Sequence, residues 1–379
     1  MSSINPFNLG SVSSNIKFCN RKKEINDLLT HAKNCTNVVL FSPRRLGKTS
    51  LVKYVMREIA KEDYLTIYVD LLSIISEKDV TEKFFNAVVR EVGGDITRGS
   101  FVDKVKKLFT RLYPSIDIAP DGVSVSAKYD RTETFTHLMD DIFVGLNKHL
   151  KKNNRKCLII FDEFQEIVEL PESKRIEGVL REYIQNQQDI SFFFVGSRRR
   201  VLKTMFADPK RAFYRMGFIY AMDNIPEHDF VPFLSTLFKE TNKQCPDSII
   251  SKIYEFAGGN TYYVQKLSYI LWNMIPTGEE ANEETLVSAK NELMKSEAPV
   301  FQGVFVNMNH GEKKLVRALS EDPALQLYTI DYLAKHGLSA GGVQKSLKSL
   351  IDKDIVEKTE KSYRVVDKVF GMWCIASLE

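Results

Sequence analysis

Val38-Val39-Leu40-Phe41-Ser42-Pro43-Arg44-Arg45-Leu46-Gly47-Lys48-Thr49-Ser50-Leu51 is the stretch that decides the fold of this chain. Four consecutive apolar residues read as a short buried strand. A turn with Pro43 and Gly47 follows, and beyond it Leu51, Val52, Val55 and Ile59 recur at helical spacing. Strand, turn and helix form the context a phosphate loop needs, and Ser42 to Thr49 fits G-x-x-x-x-G-K-[ST] everywhere except at its first position. The residue types follow from the chemistry. Backbone N–H groups from Ser42 onward, through Pro43 (which has none), Arg44, Arg45, Leu46 and Gly47 to Lys48, Thr49 and Ser50, surround a phosphate at a helix N-terminus. Lys48 adds a point charge for the β- and γ-phosphates, and the Thr49 hydroxyl is a ligand for Mg²⁺. Gly47 lets the backbone pass close to the phosphates. Ser in place of the first Gly is compatible with binding if its φ is not strongly positive.

Outward from this loop, Leu65-Thr66-Ile67-Tyr68-Val69 reads as a second strand, which completes a βαβ unit and predicts a parallel sheet. Residues 78–112 look helical. Ile116, Ile118, Val123 and Val125 alternate around Pro120-Asp121-Gly122 and read as an inserted hairpin over about 114–129. Cys157-Leu158-Ile159-Ile160-Phe161 is a continuous buried strand that runs into Asp162-Glu163. Ligands of open α/β sheets sit at that strand end. Asp162 is placed to hold Mg²⁺ through water, and Glu163 to polarise the attacking water. Phe192-Phe193-Phe194-Val195 is a further buried strand.

Beyond Pro226 the pattern turns helical, with breaks at Pro246, Gly258-Gly259 and Pro276-Thr277-Gly278. From Gly311 three short helices, the third capped by Ser339, precede two short strands, the order of a winged helix. The expected class is therefore α/β: a P-loop NTPase core with a parallel sheet, a helical lid and a C-terminal winged-helix domain. The expected divisions are an N-terminal arm at 1–17, a core at 18–225, a lid at 226–300 and a winged helix at 301–379. The third helix presents Gln344, Lys345 and Lys348, and the wing presents Lys358, Lys361 and Arg364. These can meet DNA phosphates, but Asp352, Asp354, Glu357 and Glu360 are interleaved among them, so DNA and a protein partner both stay open.

The two motifs together resemble the AAA+-like and STAND-like P-loop ATPases, above all the archaeal and bacterial ATPase family whose members end in a winged helix. Phe18-Cys19-Asn20-Arg21-Lys22-Lys23-Glu24 is similar to that family's N-terminal box near the base, with Asn20 in place of Gly and Arg21 as the matching arginine. Ser197 resembles the polar sensor on the strand beside the catalytic one. Gly258-Gly259-Asn260-Thr261-Tyr262-Tyr263 resembles the lid motif, with Thr261 where Pro is usual, and Asp367 to Trp373 resembles the closing segment. The resemblance implies binding of ATP or ADP with Mg²⁺ and hydrolysis of ATP, in a molecular switch that moves lid and winged helix. ATP-dependent DNA binding of a replication-initiator or transposition-regulator type, or a non-hydrolysing ATP-bound scaffold, are the alternatives. An arginine finger, acting in cis or towards a second copy in a homo-oligomer, is sought among the arginines after the sensor strand, with Arg215 and Arg198 preferred.

Composition excludes other classes. Net charge is only +4, which neither demands nor excludes nucleic acid, since a clustered patch is what matters there. The five cysteines are scattered and the six histidines form no closely spaced metal pair. No apolar run approaches the roughly 20 residues of a membrane span, and no secretory signal is visible. A cytoplasmic protein with reduced thiols is expected.

Overall fold

The computed structural model describes residues 4–7, 19–93, 101–119, 122–130 and 132–377. Most of the expected N-terminal arm, Phe18 of the N-terminal box and the Pro120-Asp121 turn lie outside these residues. The chain forms two compact units. One comprises Lys22–Ser42 and Lys48–Met222; the other comprises Met1–Arg21, Pro43–Gly47 and Asp223–Glu379.

The first unit is built on a five-stranded parallel sheet. Its strands are β1 (Val38–Phe41), β2 (Leu65–Asp70), β5 (Cys157–Asp162), β6 (Ile190–Gly196) and β7 (Phe218–Ala221), in the order β2-β5-β6-β1-β7. Every residue of β1, β5 and β6 is buried, as expected of strands covered on both faces, and this explains their unbroken apolar sequences. Strand β7 closes one edge, and Phe218 and Ile219 stay exposed there. Its four residues are apolar, yet three of them are exposed, as an edge position allows, and no strand is expected there from the sequence. Helices α1 (Lys22–Lys33), α2 (Lys48–Ala60), α3 (Glu77–Gly93), α4 (Phe101–Leu108), α5 (Phe135–Asn153), α6 (Ser173–Ile184) and α7 (Arg199–Ala207) complete the unit.

The core beside β5 and β6 is aromatic. Phe164 lies 4.6 Å from Phe194 and 5.3 Å from Phe213, ring centre to ring centre, and Phe206 lies 4.9 Å from Phe194. The expected hairpin is present as β3 (Tyr113–Ala119) and β4 (Gly122–Lys128), antiparallel, with Tyr113 opposite Lys128. Its base is tied to α5 by buried Asp141, which accepts from the Thr110, Arg111 and Leu112 N–H groups and from the Thr110 hydroxyl at 2.8–2.9 Å. A buried carboxylate survives only when its lone pairs are used in this way.

The second unit is helical, and its helices end where Pro246, Gly258-Gly259 and Pro276-Thr277-Gly278 break the pattern. They are α8 (Glu227–Glu240), α9 (Asp247–Phe256), α10 (Thr261–Met274) and α11 (Glu283–Val306). The winged helix comes next, with α12 (His310–Glu321), α13 (Ile330–Lys335), α14 (Ala340–Asp352), strands β8 (Val356–Lys358) and β9 (Tyr363–Val365), and α15 (Lys368–Ala376). Ser339 caps α14 as expected, accepting from Gly342 N. From the N-terminal segment, Phe7 packs 4.9 Å from Phe238. Among the described residues no helix is long and apolar enough to cross a membrane.

Candidate nucleotide-binding site

In a parallel sheet all strands point the same way, so their C-terminal residues share one edge. Phe41 is level with Gly196, and Asp70 with Asp162. Ser42, Asp162-Glu163 and Ser197 therefore emerge together.

The loop after β1 turns through two residues of positive φ, Arg45 at 68° and Gly47 at 91°. Ser42 is not among the positive-φ residues, so a side chain is accommodated at the position where the motif has Gly. Lys48 is 6% exposed, and its Nζ donates to the Ser42 carbonyl at 3.1 Å and to the Ser42 hydroxyl at 3.2 Å. The Ser42 side chain is thus a ligand for the loop lysine and fixes its ammonium. Leu46 is buried, and Arg44 is exposed. Pro43 and Ser50 are half-buried.

Asp162 is buried, and its Oδ2 accepts from the Thr49 hydroxyl at 2.7 Å and from the Tyr68 hydroxyl at 2.6 Å. Its Oδ1 accepts from the Glu163 N–H at 3.0 Å. The sequence brought Thr49 and Asp162 together by motif; Tyr68 was missed. Burial, and then the Asp162 carboxylate beside it, push the Tyr68 phenol far above its usual range, so it remains a donor. A hydroxyl and a carboxylate in contact form an oxygen donor pair suited to a hard divalent cation, and in this respect the residues fit Mg²⁺. Among the described residues no cluster of three or more His, Cys, Asp or Glu side chains could hold a metal.

Glu163 has φ 52° and ψ 40°, a left-handed conformation that costs a residue with a Cβ. The 3₁₀ turn over Phe164–Glu169 holds it there, anchored by Phe164, which is fully buried in the aromatic cluster. The Glu163 Oε2 accepts from the Ser197 hydroxyl at 3.1 Å and from Gln165 Nε2. Gln165 is completely buried, and among the described residues its Oε1 has no partner. It fits only because residue 196 is glycine: a Cβ there would overlap that oxygen. Gln165 is the second residue that the sequence reading missed.

The arginines stand apart from this group. Arg198 is ion-paired with Glu169, and Arg211 with buried Glu177. The Arg215 guanidinium sits 5.1 Å from the Tyr214 ring centre, and its backbone is left-handed at φ 58°. Among the described residues no hydrogen bond or ion pair joins Arg198 or Arg215 to Asp162 or Glu163.

In the second unit Arg21 is 5% exposed, and Asn20 before it has φ 21°. Gly258 and Gly259 both have positive φ, and a Cβ on Gly259 would lie 2.7 Å from Asn224 Nδ2 and 2.8 Å from the Tyr254 hydroxyl, so glycine is required there. Asn260 caps α10, and Thr261 is its first residue, a position that also suits proline. On α14 Gln344, Lys345 and Lys348 are exposed, whereas Arg364 on the wing pairs with Glu357 at 2.8 Å.

A parallel sheet ending in a lysine-bearing phosphate loop, with a hydroxyl–carboxylate pair at the loop's helix, defines a P-loop nucleotide-binding ATPase fold. More particularly, residues 18–267 match the model of the ATPase domain found predominantly in Archaea, and the chain belongs to that family. Residues 299–376 match a probable winged-helix domain. Over 268 residues the chain is 24% identical to an uncharacterized ATP-binding protein of Methanocaldococcus jannaschii, covering 66% of this chain and 68% of that one. The fold is similar to the Walker-type ATPase of Pyrococcus abyssi, with TM-score 0.69, 16% identity and coverage of 97% and 99%. It is also similar to the ORC2 protein of Aeropyrum pernix, in ADPNP–ADP complexes, with TM-score 0.59, 15% identity and coverage of 99% and 98%.

Proposed function

We propose that this chain binds Mg-ATP and hydrolyses it, and that the nucleotide state switches its helical and winged-helix segments. The observation that carries this reading is the 2.7 Å contact between Thr49 and Asp162, with Glu163 next in sequence and Ser197 in contact with Glu163. In this scheme Lys48 leaves the Ser42 carbonyl for the phosphates. Thr49 and Asp162 hold Mg²⁺, which supplies neutralising charge on the phosphate oxygens when bound. Glu163 orients the attacking water, and Ser197 fixes the Glu163 carboxylate. Arg215 is the better candidate for a finger, because Arg198 is already committed to Glu169.

The test is phosphate release from Mg-ATP by wild type, Lys48→Ala and Glu163→Gln, joined to limited proteolysis in ATP and in ADP. Expected are turnover lost in both variants and different cleavage patterns in the two nucleotides. Turnover that persists in Glu163→Gln removes hydrolysis at this site, and identical cleavage patterns remove the switch. A second reading, ATP-dependent DNA binding, is favoured by the exposed Gln344, Lys345 and Lys348 on α14. It requires duplex affinity that falls steeply with salt and weakens in Lys345→Ala/Lys348→Ala.

A further inference from the structure

Arg45 lies inside the phosphate loop, yet its guanidinium is taken up by another anion. Its Nη1 donates to Glu297 Oε2 at 3.1 Å and to the Tyr263 hydroxyl at 3.3 Å. Its guanidinium carbon lies 4.4 Å from the Tyr262 ring centre, in the range of a cation–π contact. All these residues belong to the same compact unit.

The receiving group is elaborate for a loop residue. Glu297 on α11 has a side chain only 2% exposed, whereas the Arg45 side chain is 37% exposed. Glu297 Oε1 accepts from the Tyr262 hydroxyl at 2.7 Å and from Lys266. Burial alone would raise the Glu297 pKa, but hydrogen bonds from Lys266 and Tyr262 and the charges of Lys266 and Arg45 hold it below the usual carboxylate range. It is therefore an ionised carboxylate with Lys266 as its own partner, and it does not depend on Arg45 for neutrality. Tyr263 is the junction. Its hydroxyl donates to Asp367 Oδ2 at 2.6 Å, and Asp367 Oδ1 caps α15 through the Phe370 N–H at 2.9 Å. One loop arginine thus touches the residues that tie α10, α11 and α15 together.

A guanidinium prefers two anions of the same kind, carboxylate and phosphate, and cannot serve both with the same N–H groups. We propose that Arg45 is an anion-exchange latch: without nucleotide it is held by Glu297, and a nucleoside triphosphate in the loop takes it over through its terminal phosphate. Leaving Glu297, Arg45 also leaves Tyr263, and the α10–α15 tie through Asp367 loses that neighbour. Glu297 stays neutralised by Lys266, so the exchange strands no buried charge. Its internal competitor lowers the apparent affinity for nucleotide in proportion to the latched fraction.

This inference rests on the nucleotide-binding part of the proposed function, and one set of titrations separates the two. Mg-ATP and Mg-ADP are titrated calorimetrically into wild type, Lys48→Ala, Glu297→Gln, Arg45→Ala and the Arg45→Ala/Glu297→Gln double variant, with melting temperatures recorded alongside. Glu297→Gln should tighten Mg-ATP by about tenfold, the scale of one charge-assisted hydrogen bond, and should change nothing in the Arg45→Ala background. Wild type should favour Mg-ATP over Mg-ADP, and Arg45→Ala should lose that preference. If Glu297→Gln proves unstable, the Arg45→Ala ratio decides alone, since that side chain is over a third exposed. Binding that Lys48→Ala abolishes but Glu297→Gln leaves unchanged overturns the latch and keeps the nucleotide site. An ATP-to-ADP ratio that Arg45→Ala does not alter overturns it too. If neither wild type nor Glu297→Gln binds nucleotide, both readings fall; binding that appears only in Glu297→Gln establishes a latch that is shut in wild type.

Discussion

At the scale of residues, the site divides into groups whose position follows from the local chain and groups whose position follows from neighbours. Lys48 and Thr49 were legible because the phosphate loop and its helix are one continuous segment, and Asp162-Glu163 because a buried strand must end at the ligand edge. Tyr68 and Gln165 were not. Tyr68 reaches Asp162 because β2 lies beside β5, and Gln165 is seated because Gly196 on the next strand lacks a Cβ. Neither fact can be read from local spacing. Ser197 is placed by resemblance, and its hydroxyl donates to the Glu163 carboxylate at 3.1 Å. The Gln165 side chain donates to the Glu163 carboxylate from a fully buried position, so in the proposed hydrolysis it should orient that group. Gln165→Leu keeps the bulk and removes the donor. Steady-state kinetics should show kcat falling by about tenfold or more, with the Mg-ATP dissociation constant unchanged. A kcat that does not move would assign the orientation of Glu163 to Ser197 alone.

At the scale of elements, the long apolar strands and the cap of α14 were legible because each is specified by its own residues. Strand β7 was not, because Phe218–Ala221 is a four-residue apolar run that periodicity alone cannot tell from a piece of buried helix, and its place as a strand comes from pairing with β1 at the sheet edge. The packing of α12 against α14 was hidden for a different reason. Glu312, in the first turn of α12, is 1% exposed and accepts from Lys353 Nζ at 2.8 Å, from Ser349 and from the Asn309 N–H at 2.9 Å. A sequence shows only one more surface glutamate. Burial opposes its charge, but the Lys353 and Ser349 hydrogen bonds, the Asn309 N–H and the Lys353 charge outweigh it and lower the pKa. A carboxylate whose folded pKa is depressed contributes stability above its unfolded pKa of about 4.3, and loses it as pH falls through the folded value. Glu312→Gln should therefore cost about 1–3 kcal/mol at neutral pH, and this difference should shrink as both proteins are taken below about pH 4. Urea unfolding followed through Trp373, in a Trp272→Phe background, reads the winged helix directly. A difference that stays constant from neutral to acid pH would show that packing, not the charge, was lost.

At the scale of the whole molecule, the order of segments along the chain and their grouping into compact units do not coincide. Pro43–Gly47 falls with the helical and winged-helix residues, although Ser42 before it and Lys48 after it belong to the sheet unit. Sequence reading assigned the entire loop to the sheet, because contiguity is all that a sequence offers. The consequence is measurable, since both tryptophans, Trp272 and Trp373, lie in the unit that includes the loop residues. Tryptophan emission therefore follows that unit, while far-UV circular dichroism follows both. A ligand that binds only the folded state at a hundred times its dissociation constant stabilises by about 2.7 kcal/mol, which for a unit of this size raises the midpoint by roughly 5–10 °C. Lys48, Thr49 and Asp162 all belong to the sheet unit, which holds no tryptophan, so Mg-ATP should raise the midpoint of the circular-dichroism transition. In Lys48→Ala that midpoint should not move. A circular-dichroism midpoint that Mg-ATP leaves unchanged in wild type would remove nucleotide binding by the sheet unit.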